Sequence, residues 1–257
     1  MKKNNFLNIV KKPKTFLKYL SVKKNNYFII FIYFALSIIF WGIPQGFNFI
    51  NNINISGDPA FYLWCLKWWH YAISHGLNPF ITKTFWAPFA QNLAGTTSLP
   101  SIAILMWPVT KIFGPVFSYN IITLISLTLA PYGIYLINRE IGLKTISSFV
   151  GSLFFFFSTY ILAEMLGHLT LYTSFIVVFL VYLYILRFKN SFSRLKYIVL
   201  FSLLFAFQFG ISNEIYATFA VFSFFAWLVA FILFFKNENT RKKLFYLWYR
   251  NFNKHNF

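Results

Sequence analysis

Six long apolar runs dominate the chain and restrict it to one environment. They lie near residues 27–46, 116–138, 145–163, 169–186, 196–212 and 215–235. Each is long enough to cross roughly 30 Å of hydrocarbon as a helix. Each is rich in Phe, Ile, Leu and Tyr and apolar all round, as lipid requires. Charged residues make up 11% of the 257 residues and hydrophobic ones 58%. A soluble domain carries roughly a quarter charged residues. The sequence therefore predicts an all-α integral membrane protein with about six transmembrane helices.

The formal net charge is +18, which raises nucleic acid as a partner, but its placement points to a membrane instead. Eight lysines fall in residues 1–26, before the first apolar run, and six Lys/Arg follow Phe235. Basic ends flanking apolar spans are the positive-inside signal and suit an anionic inner leaflet. Residues 1–26 thus read as a cytoplasmic N-terminus, 27–235 as the transmembrane region and 236–257 as a cytoplasmic tail, in a bacterial inner membrane. The basic segment is too long, and the apolar run behind it too long, for a cleavable signal peptide. The one cysteine, Cys65, excludes an intramolecular disulfide and reads as a small apolar filler.

Residues 99–113 are apolar but short, with Pro100 at the start, Pro108 inside and Lys111 near the end. If this stretch does not cross, the basic segments Arg139–Lys144 and Arg187–Lys196 share the cytoplasmic side with both termini. If it crosses, they move outside. The positive-inside rule favours a re-entrant or surface-lying helix. Asp58, His70, His75, Glu164, His168 and Glu214 then gather on the external side, and Glu140 lies opposite. Ionisable groups at one membrane face mark a site. Residues 47–115 become one long external connection, too aromatic to be disordered. Within it, 59–75 reads as an amphipathic interfacial helix carrying Trp64, Trp68, Trp69 and Tyr71, ended by His75-Gly76.

Asp58 is the only aspartate in the chain, in the setting Ser56-Gly57-Asp58-Pro59. A basic N-terminus, one span, and then an external Asp followed by interfacial helices resembles the GT-C superfamily of membrane glycosyltransferases. The string Gly57-Asp58-Pro59, Trp64, Trp68-Trp69, His75-Gly76-Leu77-Asn78-Pro79-Phe80 is similar to the first external loop of bacterial members. So is Pro100 leading a short helix that ends in Phe113-Gly114-Pro115. Ser158-Thr159-Tyr160 and Gly167-His168-Leu169 are similar to their second external loop. The likeness spans roughly residues 27–235 and extends to protein O-mannosyltransferases, lipid A aminoarabinose transferases and YfhO-like bacterial proteins. It implies many helices, a polyprenyl-phosphate-linked sugar as donor and an external site. In that family the first-loop Asp activates the acceptor or binds a metal, and Asp58 is the matching position; a divalent Mg or Mn ion is the cofactor so implied. The chain departs from the family in its fewer spans and in having Glu164 and His168 where a second Asp is usual. It is read as a GT-C-like enzyme or its N-terminal part.

The residues themselves allow this chemistry and also plainer roles. A base must deprotonate the acceptor hydroxyl, and positive charge must meet the departing phosphate. Asp58 suits the base; it also suits the cap of the 59–75 helix, with Pro59 at its first position. Glu164 and His168, four residues apart, share a face if one helix continues through Gly167; they are a second acid and partner, or an interfacial pair. His70 and His75 are substrate contacts or polar tips in an aromatic belt. Lys67 and Lys83 hold phosphate or snorkel to headgroups. No phosphate-binding glycine loop, nucleophile elbow or zinc-protease motif occurs. The rival expectation is a non-catalytic membrane protein, either a transporter or scaffold or an inactive fragment. Transporters show paired broken helices, and Pro108 offers one break with no evident second.

Overall fold

The computed structural model describes residues 16–53, 58–85 and 87–235. The first fifteen residues of the basic N-terminus, Gly57, Trp86 and the tail 236–257 lie outside them. About 73% of the chain is helix, and the only strands described are the two-residue pair β1 (Ile81–Thr82) and β2 (Gln91–Asn92), antiparallel with Ile81 opposite Asn92. The chain divides into two units, residues 1–213 and 214–257.

The first unit holds α1 (Phe16–Gly42), α2 (Pro59–Ser74), α3 (Pro100–Leu105), α4 (Trp107–Glu140), α5 (Thr145–Phe156), α6 (Thr159–Glu164), α7 (Leu169–Tyr172), α8 (Phe175–Phe188) and α9 (Arg194–Phe209). The second consists, among the described residues, of α10 (Asn213–Phe235), which begins at the last residue of the first unit, carries Glu214 in its first turn and is otherwise almost wholly apolar. Four stretches are long and apolar enough to cross a membrane: 107–140, 145–164, 169–188 and 213–232. Residues 26–42 form a shorter apolar helix, and α9 has 16 residues.

Local chemistry sets the boundaries. Proline is free at the first turn because the N–H it lacks has no helical partner there, and Pro59 opens α2. Gly76, at φ +66°, follows its C-cap His75, as the sequence predicts. The 99–113 stretch is broken differently from expectation. α3 ends at Met106 and the chain restarts at Trp107, so Pro108 sits in a first turn rather than inside a helix. The turn at Gly114, φ +86°, then divides the short leading piece of α4 from its long arm. Two further breaks were not expected. The run 145–163 parts at Phe157, and Ser158 starts α6 by accepting the Ile161 N–H at 3.4 Å. The run 169–186 parts at Thr173 and Ser174.

α4 is the hub: α1, α2, α5 and α8 all pack on it. Hydroxyls stitch these contacts. Thr128 donates to Ser37 of α1 at 3.2 Å, Tyr33 of α1 bonds Ser152 of α5, and the Thr123 and Tyr172 hydroxyls are 2.7 Å apart. Such bonds between membrane helices are worth about 0.6 kcal/mol each on average, so close packing must supply the rest. At Gly133 α8 comes so near that an added Cβ would lie 2.6 Å from Val178 Cγ1.

Candidate functional site

Asp58 is the N-cap residue of α2, yet it does not cap. A capping side chain needs an extended backbone to reach the N–H of the second or third helical residue. Asp58 instead has φ −53° and ψ −30°, and its carboxylate makes no cap hydrogen bond. Only its backbone carbonyl serves the helix, accepting from Phe61 and Tyr62. The side chain is 62% exposed and its Oδ2 lies 3.6 Å from Nε2 of His168.

His168 faces two carboxylates. Its Nδ1 is 2.8 Å from Oε2 of Glu164. The imidazole is 51% exposed, whereas the Glu164 side chain is 21% exposed and its Oε2 is shut off from solvent. The contact is an ion-pair distance without hydrogen-bond alignment. No helix continues through Gly167: α6 ends at Glu164, and His168 is the N-cap residue of α7 without a side-chain cap hydrogen bond. The chain turns there through His168 N–H donating to the Glu164 carbonyl at 2.8 Å. That turn keeps the two side chains adjacent without helix continuity. Gly167 lies against the start of α2, with Pro59 Cδ 3.8 Å from where its Cβ would be. This contact brings the two loops of the trio together.

Asn120 is a polar anchor of this region that no sequence motif marks. It is fully buried on α4. It accepts from Trp41 Nε1 at 2.8 Å and donates to the carbonyls of Phe49 and Asn52 at 2.8 and 3.1 Å. One amide therefore ties the end of α1 and the loop leading toward Asp58 onto the hub helix. An amide inside an apolar run was the available signal. One turn into α2, Tyr62 reaches Thr170 of α7 at 3.4 Å.

The remaining expected site residues do not join the trio. His75 is the C-cap of α2, its Nδ1 2.9 Å from the Tyr71 carbonyl and its ring stacked on Tyr71. Seventeen residues of helix put it about 25 Å along the axis from Asp58. His70 packs edge-on against Trp107, with centroids 4.6 Å apart. Lys67 and Lys83 are exposed and make no ion pair among the described residues; Lys67 stands about 13 Å along the helix from Asp58. Trp68 and Trp69 are buried rather than belt residues, their indole N–H groups donating to the carbonyls of Pro79 and Ser98. Cys65 is fully buried, and burial pushes its thiol well above the usual range, in keeping with an inert filler. Among the described residues no three His, Cys, Asp or Glu side chains are arranged to hold a metal ion. Asp58 offers an oxygen, but the trio alone does not make a ligand set.

No curated protein and no solved structure matches the chain. The family described as Domain of unknown function (DUF6311) matches residues 34–250, and the chain belongs to that family.

Proposed function

We propose that this member of the DUF6311 family is a membrane glycosyltransferase of the GT-C type. It moves a sugar from a polyprenyl-phosphate donor to an acceptor hydroxyl, with about six spans in the bacterial inner membrane and both termini cytoplasmic. The observation that carries this reading is the Asp58 carboxylate. It is exposed, free of its capping duty, and set beside an imidazole whose other nitrogen faces a shielded carboxylate.

The chemistry uses the chain's own groups. Asp58 accepts the proton of the acceptor hydroxyl as its oxygen attacks the anomeric carbon. The bond between that carbon and the phosphate oxygen breaks, and the polyprenyl phosphate leaves with the electron pair. His168, with Glu164 behind it, holds the proton near Asp58 and passes it to solvent. Lys67 and Lys83 supply positive charge for the donor phosphate.

The test is transfer of radiolabelled sugar from polyprenyl-phosphate donors in membranes containing the full chain or Asp58→Asn. A loss of about 10²–10⁴-fold is expected, with insertion and thermal midpoint unchanged. Retained transfer in Asp58→Asn would overturn the assignment. The second reading is a transporter, favoured by the helix breaks at 157–158 and 173–174 beside the trio. No transfer by wild type, together with solute uptake by proteoliposomes, would select it.

A further inference from the structure

We propose that the end of the first unit built from the α4–α5 and α8–α9 loops docks anionic phospholipid headgroups. Glu140 and Lys189 clamp these loops together. Lys189 Nζ lies 3.5 Å from Glu140 Oε2 and also donates to the Glu140 backbone carbonyl. The joined loops carry Arg139, Lys144, Arg187, Lys189, Arg194 and Lys196 against the single acid Glu140, a surplus of five positive charges. Arg139 and Arg187 hold loop carbonyls, those of Leu143 at 2.6 Å and Phe192 at 3.4 Å. Lys144, Arg194 and Lys196 are exposed, and their side chains make no ion pair among the described residues.

The spacing of apolar residues among these cations selects the occupant. Ile146, Leu195 and Phe188 are 78%, 73% and 70% exposed, and Ile141 is 58% exposed. A nucleic acid or an acidic peptide would meet the charge but would strand these side chains in water. The headgroup boundary of a bilayer takes both: phosphates meet the cations while the apolar side chains enter the acyl layer. The proposal does not depend on the Asp58 chemistry, because its residues lie on loops separated from the trio by the lengths of α5 and α8.

The experiment titrates phosphatidylglycerol into micelles containing phosphatidylcholine and the purified full chain. Native mass spectrometry counts retained lipid. Wild type is expected to prefer phosphatidylglycerol. Each charge removed should weaken that affinity about fivefold, so K144Q/R194Q/K196Q should lose about a hundredfold. Added salt should weaken it further. The charge-conserving K144R/R194K/K196R should retain it, and inorganic phosphate at matched ionic strength should not displace the lipid. The midpoint of the neutralised variant in phosphatidylcholine alone reports whether it folds; if it does not, the salt series and the charge-conserving variant decide. Equal retention of both lipids, or displacement by inorganic phosphate, overturns the proposal.

Discussion

The two ends of the first unit treat their acids in opposite ways. At one end Glu140 is committed: it meets a lysine through both its side chain and its backbone carbonyl, and the pair is 27% exposed on each side. At the other, Asp58 is left without its cap and stands 3.6 Å from an imidazole in the open. A carboxylate with a fixed cationic partner joins helices. One that is exposed and poorly tethered is available to a substrate. In a chain with only five acids, the two settings differ in partner and exposure, and the role proposed for Asp58 rests on that difference.

The sharpest way to break the comparison is to remove the imidazole. His168→Ala is expected to lower sugar transfer by about 10²-fold or more. The imidazole is half exposed, but its loss leaves the shielded Glu164 carboxylate without its contact, so a stability loss of about 1–3 kcal/mol is expected. A large fall in thermal midpoint with transfer intact would place the trio among structural pairs, like that of Glu140.

Asn120 sharpens the comparison from the buried side. Asn120→Leu leaves the Trp41 N–H and the carbonyls of Phe49 and Asn52 without their partner. It is expected to cost about 2–4 kcal/mol, read as a lower unfolding midpoint in detergent. Transfer should fall as well, since the loop toward Asp58 loses its anchor. Unchanged stability would mean that these groups find water or other partners in the lipid-embedded protein.

How far the sequence foresaw this arrangement depends on what each signal physically reports. Both ends of α2 were legible, since Pro59 and Gly76 act through their own backbone limits. The adjacency of Glu164 and His168 was legible from spacing, although a turn rather than a helix delivers it. The breaks at Phe157 and at Thr173–Ser174 fall inside runs read as continuous, because one Ser/Thr pair hardly lowers the hydropathy of a long apolar run, although the resemblance assigns Ser158-Thr159-Tyr160 to a loop. Trp68 and Trp69 were misplaced for a related reason. An aromatic stripe reports a non-aqueous face but not whether lipid or protein covers it. The meeting of Asp58 with His168, 110 residues apart in the sequence, depends on how α2 and the α6–α7 turn pack together. No local pattern encodes that.

The smallest effect belongs to the committed pair. Glu140→Gln removes the ionic contact to Lys189 but leaves the backbone carbonyl that Lys189 also reaches. A partly exposed pair of this kind contributes about 0–1 kcal/mol. The expected result is a slightly lower midpoint and unchanged sugar transfer. The substitution also raises the positive surplus on the two loops, so phosphatidylglycerol retention should hold or increase. If transfer fell with Glu140→Gln as far as with His168→Ala, the two ends would be coupled, and commitment to a partner would no longer distinguish structure from chemistry.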